Sequence, residues 1–179
     1  MKIIKTKFKG LVILKRPTYF DNRGFLKELF EQKKFKKKFI FDYFSVSKKN
    51  VIRGLHLQYK TPQTKLISVL SGKIFDVVVD CRKNSKTFGK HFYMYISAKD
   101  NTSLYIPKGF AHGFCSLTNN TIVYYKNSDY RNKKNEVGIL WEDKDLNIKW
   151  PIKKPIISSR DRKNLSFDKF LNSKNFKKM

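Results

Sequence analysis

From residue 39 onward the chain alternates apolar and polar side chains with a period of about two, the spacing of a strand with one buried face. Segments 39–47, 51–58, 65–70, 73–80, 91–97, 103–106, 113–118 and 121–127 read as strands, short and rich in Val, Ile, Phe and Tyr. Turn signals separate them: Ser71-Gly72, Lys83-Asn84-Ser85, Lys99-Asp100-Asn101 and Asn119-Asn120. Ser71-Gly72 is expected to close a β-hairpin. Earlier in the chain, Leu11–Leu14 is a short strand candidate, Pro17 breaks the pattern, and Asp21-Asn22-Arg23-Gly24-Phe25 reads as a turn. Leu26, Leu29, Phe30 and Phe35 form a partial stripe at helical spacing and predict a helix over 26–37. The lysines of 33–38 would then be its solvated end, favourable near the C-terminal dipole. Residues 128–162 are polar and loop-like apart from Gly138–Trp141 and Ile148–Pro151, and 163–179 is a small helix or a flexible tail.

About eight short strands at this spacing point to a sandwich, jelly roll or barrel, not a parallel α/β sheet. The length of 179 residues fits one domain over 1–179, and 40% apolar residues with 16 Phe and 9 Tyr suffice for a core.

Charge complicates this picture. Lys and Arg number 40 against 14 Asp and Glu, a formal net charge of +26. Such a balance first suggests nucleic acid or an anionic surface. The lysines are dispersed, however, except at 33–38 and near the C-terminus, whereas a dedicated basic arm would be segregated. A lysine-filled surface is the favoured reading, and it would still help an anionic small substrate arrive. No nucleic-acid partner and no membrane partner are expected. Cys81 and Cys115 are too few for a disulfide framework and sit in apolar runs, as buried thiols do. The N-terminal residues lack the apolar region of a secretory signal, and no run is long enough to span a membrane, so a cytoplasmic location is expected.

The candidate chemistry centres on Arg53–Gly72. His56 is one of three histidines in the chain, with Arg53 three residues before it and Lys65 nine residues after it. Gly-rich phosphate loops, zinc-spaced cysteines and a nucleophile-elbow serine are absent from the sequence. His, Tyr, Lys, Asp and Glu are therefore the available reactive groups. Flanking cations disfavour a further positive charge, so His56 suits the role of neutral general base beside an anionic ligand. A carboxylate should orient its ring, and spacing does not say which one. His112 could be a second ligand-contacting imidazole, or join His56 and His91 around a metal. Gln58 stands where such metal sites usually carry a second histidine. Tyr124 and Tyr125 are adjacent in a strand, so only one can share an interior with His56.

These residues occur in an order that resembles a known family. Arg53-Gly-Leu-His56-Leu-Gln58, Lys65-Leu, Gly72–Asp80, Ser85–Gly89, Ile106-Pro-Lys-Gly-Phe-Ala-His112-Gly-Phe, Tyr125-Lys, Gly138–Trp141 and Ile156–Asp161 follow one another along the chain. Together they resemble the dTDP-4-dehydrorhamnose 3,5-epimerases and their nucleotide-sugar relatives over roughly residues 8 to 162. The resemblance implies a mainly β double-stranded β-helix of the cupin or jelly-roll type, usually a homodimer, with no metal and no organic cofactor. The implied substrate is a nucleotide-diphosphate sugar with a ketone at C4. On this resemblance His56 is the base, Asp161 its orienting partner, Lys65 the stabiliser of the enolate, and Tyr125 the acid on the opposite face. Arg23, Glu28, Arg53, His112, Glu136 and Arg160 match substrate-contacting positions, as does the segment Phe41-Asp42-Tyr43, and Gln58 lies beside them. Trp141 would wall the pocket or pack in the core. Two departures stand out. Phe41-Asp42-Tyr43 replaces the family's common Gln-Asp-Asn, which leaves the nucleotide base and exact sugar open, and Arg160 replaces a usual lysine. The competing readings are an epimerase acting at one carbon or on a CDP- or GDP-linked sugar, a non-catalytic nucleic-acid- or anion-binding jelly roll, and a metal-dependent cupin oxygenase.

Overall fold

The computed structural model describes residues 1–178. Its strands are β1 (Lys2–Lys5), β2 (Val12–Lys15), β3 (Thr18–Asp21), β4 (Gly24–Lys27), β5 (Phe41–Ser47), β6 (Ile52–Gln58), β7 (Lys65–Ser71), β8 (Lys73–Asp80), β9 (His91–Ser97), β10 (Thr102–Ile106), β11 (Phe110–Ser116), β12 (Thr121–Asn127) and β13 (Glu136–Gly138). A six-stranded sheet runs β1-β2-β10-β7-β12-β5, and a five-stranded sheet runs β13-β6-β11-β8-β9. From β5 onward the chain passes from one sheet to the other at almost every step, with β8 and β9 the neighbours that stay together. The result is a mainly β jelly roll of the cupin type.

Alternation decides which side chains meet. Ile67, Val69, Ile74, Val78, Phe110, Phe114 and Val123 point between the sheets and form the inner core with Phe8, Leu104 and Tyr125. Their chain neighbours Phe75, Val77, Val79, Ala111 and Cys115 point the other way, into a second core outside the five-stranded sheet. The C-terminal third covers that layer through Ile139, Leu146, Ile148, Ile157, Phe167, Phe170 and Phe176. Each such aromatic contributes about 1.5–3 kcal/mol when fully buried. After the single turn of α1 (Ser159–Arg162), Phe167 and Phe170 sit on α2 (Phe167–Asn172) and Phe176 on α3 (Lys174–Lys177), so the tail folds as short helices. Cys81 and Cys115 are buried free thiols, pushed up to about 12 and about 11 by burial. Among the described residues no helix is long and apolar enough to cross a membrane.

Two local expectations are overturned. Residues 26–37 do not form a helix: β4 takes the start, paired with β3, and only a single 3-10 turn forms at Gln32–Lys34. The apolar residues serve different surfaces. Phe30 and Phe35 stack at 5.3 Å and pack with Phe39 against the outer side of the six-stranded sheet, while Phe25 and Leu26 remain exposed on the hairpin. A helix would also have lined lysines three and four apart along one face, where like charges repel. Ser71-Gly72, likewise, is not a hairpin turn, since β7 and β8 belong to different sheets. Gly72 has φ +79, and a Cβ there would lie 2.3 Å from Thr118 Oγ1. The glycine lets the chain turn a tight corner between layers.

Candidate active site

The site opens between the sheets, and β6 sets its layout. His56 pairs with His112 on β11, yet Phe114 pairs with Arg53, so three steps on β6 match two on β11. This bulge lies at Gly54, whose φ is +115 and whose added Cβ would meet His112 O at 2.6 Å. The extra residue resets the alternation. Ile52 lies in the outer core before it, and Leu55 and Leu57 lie there after it. Arg53 and His56 therefore face the interior together, although they stand three positions apart, an offset that an unbroken strand would send to opposite faces. Arg53 reaches β5, its Nε donating to Ser47 Oγ at 3.0 Å and its Nη2 to Val46 O at 3.0 Å.

His56 has its carboxylate. Its Nε2 lies 2.6 Å from Asp161 Oδ1, and the backbone N–H of Gly54 donates to Asp161 Oδ2 at 3.3 Å. Local structure explains the reach across 105 residues. Ile52 N–H donates to Ile156 O, which lays the C-terminal segment beside β6, and Ser158 Oγ caps α1 by accepting from Asp161 N–H at 3.0 Å. Burial alone would raise the Asp161 carboxyl, but the bonds from His56 and Gly54 outweigh it and hold the group below its usual range. An ionised Asp161 accepts from Nε2–H and leaves Nδ1 as the basic atom.

A second histidine–carboxylate pair adjoins the first. His112 Nε2 lies 2.8 Å from Asp76 Oδ2, both side chains are buried, and Asp76 Oδ1 has no hydrogen-bond partner among the described residues. Reasoning from sequence passed over Asp76. Its signal was a lone carboxylate in Ile74-Phe75-Asp76-Val77-Val78-Val79, because a charge in so apolar a strand demands a buried partner.

Lys65 and Tyr125 come from the facing sheet. β12 sets Tyr125 opposite Ile67 and Asn127 opposite Lys65, so the ammonium and the phenol share one inner face. Lys65 is buried and makes no ion pair or hydrogen bond among the described residues. Burial lowers it to about 8 against the pull of Glu136, with Arg131 lowering it further and Asp76 opposing. Burial raises Tyr125 well above the ordinary phenol range, with a smaller push from Tyr43, so it stays protonated. Its ring stacks on Tyr43 at 4.7 Å and 16°, and meets His112 edge-on at 6.1 Å.

The remaining candidates divide. Glu136 on β13 accepts from Arg131 at 2.7 and 3.0 Å and pairs with Arg160 at 2.6 Å. Burial works against its charge, but the Arg131 bonds, with His56 and Arg160 nearby, hold Glu136 down at about 2. Arg131 was not anticipated from sequence. Gln58 spends its amide on the adjoining loop, donating to Thr61 O at 2.8 Å and Tyr130 O at 3.3 Å. Phe41 and Tyr43 pack against each other on the inward side of β5, centroids 5.5 Å apart and rings tilted at 44°. Asp42 turns outward, accepting from Tyr124 Oη at 2.7 Å, which also fixes Tyr125 as the inward tyrosine of the pair. Arg23 holds Asp21 at the exposed tip of the β3–β4 hairpin, and neither Arg23 nor Glu28 is bonded to the barrel residues among the described residues. His91 pairs with Val79 on the outer face, so the three histidines do not converge. Trp141 packs in the outer core.

The constellation can remove a proton from carbon, stabilise an oxyanion and return a proton. Comparison with known proteins agrees with that chemistry. The family model described as dTDP-4-dehydrorhamnose 3,5-epimerase matches residues 5–169. The enzyme of that name from Shigella flexneri is 43% identical over 168 residues, covering 90% of this chain and 93% of the relative. The crystal structure of the Bacillus anthracis enzyme, with TDP and PPi bound, is 41% identical with a TM-score of 0.89, covering 93% of this chain and 99% of its own. The Legionella pneumophila enzyme in complex with dTDP-4-keto-L-rhamnose is 38% identical with a TM-score of 0.90, covering 93% of each chain. The chain belongs to the dTDP-4-dehydrorhamnose 3,5-epimerase family, whose members are isomerases.

Proposed function

We propose that this chain converts dTDP-4-dehydro-6-deoxy-D-glucose to dTDP-4-dehydro-L-rhamnose by inverting C3 and C5. The observation that carries the reading is the convergence of the His56–Asp161 pair, buried Lys65 and buried Tyr125 on one interior. The C4 ketone acidifies the protons on C3 and C5. His56 takes each proton, and the electron pair moves onto the C4 oxygen as an enolate. The Lys65 ammonium stabilises that oxygen in a water-poor site, and Tyr125 returns a proton to the opposite face. Nothing is oxidised or reduced, so the chemistry calls for no redox cofactor. Arg53 and Arg160 suit the diphosphate, and His112 the sugar near the reacting carbon. Phe41 and Tyr43 place aromatic surface on the inward side of β5.

In deuterated water, deuterium is expected to enter both C3 and C5 of the dTDP-linked 4-keto sugar. Exchange at one carbon only would make the enzyme a mono-epimerase, exchange only on CDP- or GDP-linked sugars would change the substrate, and no exchange with any of them would sink the reading.

The enzyme is read as a cytoplasmic homodimer. Two exposed apolar surfaces support the dimer: Phe44 and Val46 on the outer side of β5, and Tyr19, Phe20, Phe25 and Leu26 on the β3–β4 hairpin. Light scattering on the purified chain should give twice the 21.3 kDa protomer mass, and a concentration-independent monomer would refute it.

A further inference from the structure

Tyr43 is a residue of the site that the proton transfers do not require. It stands directly across the β5–β12 ladder from Tyr125. The two rings lie nearly parallel, centroids 4.7 Å apart at 16°. Another side of Tyr125 meets the edge of His112 at 6.1 Å and 68°, and His112 is fixed by Asp76 at 2.8 Å. Tyr43 is braced in turn by Phe41 at 5.5 Å, and Phe41 by Tyr130 at 5.9 Å. The phenol of Tyr125 is thus clamped between a stacked ring and an anchored imidazole.

We propose that Tyr43 is a positioning residue that holds Tyr125 on one face of the bound sugar and thereby makes inversion outrun return of the proton. The inference rests on the epimerase reading above. Once His56 has taken the carbon's proton and the electron pair sits in the enolate, two donors compete. Tyr125 delivers its hydroxyl proton to the opposite face, which inverts the carbon and leaves a tyrosinate that solvent reprotonates. Protonated His56 delivers to the original face, which restores the starting sugar. If His56 has first exchanged its proton with deuterated water, that second route leaves deuterium without inversion. A Tyr125 ring that drifts loses the competition, because misplacing a reacting group costs on the order of 10²-fold.

The test compares Tyr43→Leu and Tyr43→Phe with the unaltered enzyme in deuterated water. Both variants lose the hydroxyl, and only Phe keeps the flat ring. Mass spectrometry counts deuterium entering the recovered substrate, and NMR counts inverted product. Tyr43→Leu is expected to raise the ratio of exchange to inversion about tenfold, while Tyr43→Phe holds the ratio of the unaltered enzyme. An unchanged ratio in Tyr43→Leu, with KM raised alone, would mean that Tyr43 merely touches substrate and would overturn the proposal. A raised ratio in both variants would assign the effect to the hydroxyl and overturn it too. An unaltered enzyme that neither exchanges nor inverts would instead refute the epimerase reading, and this inference with it.

Discussion

Replacing His56 by asparagine stops exchange and inversion together, with kcat lowered by about 10²–10⁴-fold. Asparagine is close to imidazole in polarity, and its amide can still donate to Asp161, so the buried carboxylate keeps a partner and the fold survives. What disappears is the one basic nitrogen backed by an ionised carboxylate 2.6 Å away. Tyr125 cannot substitute, because burial keeps it a phenol. Since exchange, like inversion, begins with removal of the carbon's proton, the variant should be silent in deuterated water even where inverted product is too scarce to detect. Exchange at more than a tenth of the original rate would place the base elsewhere, with His112 and Asp76 the next pair to test.

Replacing Lys65 by methionine should damage catalysis and improve stability at the same time. The loss of enolate stabilisation costs about 10²–10³-fold in kcat, the scale of removing one oxyanion donor. The gain follows from burial. The ammonium falls from 10.5 to about 8 because the interior opposes its charge, and no ion pair among the described residues compensates. Replacing a poorly compensated buried charge by an apolar side chain of similar length stabilises by roughly 1–4 kcal/mol. The sign with pH is fixed by linkage. Between about 8 and 10.5 the unfolded chain binds the proton that the folded chain has released, so this residue's penalty is full below about 8 and fades as pH rises across that window. Catalysis runs the other way, because the enolate needs the ammonium: kcat/KM should fall as pH rises through about 8. Declining turnover with rising stability over one pH interval is the signature to measure. Thermal melts of Lys65→Met that lack the rise would support it, and melts that parallel the original enzyme would assign the pH effect to another group.

Much of this could be read from the chain, and the failures have physical causes. Alternation revealed nearly every strand from β5 to β12, because each buries one or both faces in a fixed layer. It could not say which sheet a strand joins, so Ser71-Gly72 looked like a hairpin although it turns a corner. Residues 26–37 misled because their apolar stripe is shared between an exposed hairpin and an aromatic cluster, a division no periodicity records. Asp161 was legible through family resemblance only, since its approach to His56 depends on the C-terminal segment docking beside β6. Asp42 was grouped with Phe41 and Tyr43 as a substrate-contacting position, yet alternation along β5 turns it outward between them. Asp76 was visible as an anomaly and passed over, and Arg131 carried no signal that set it apart from the chain's other cations.

The bulge at Gly54 has a consequence for how this enzyme can be altered. It splits β6 into two registers, so odd positions line the cavity before the glycine and even positions line it after. A library that randomised every second residue along the strand would cross from ligand surface into packed core without warning. The same division separates two traits under selection. Arg53, on the near side, can change the grip on a charged ligand while His56, on the far side, keeps its partner and its aim. Substrate range and proton chemistry can therefore drift at different rates along a single strand.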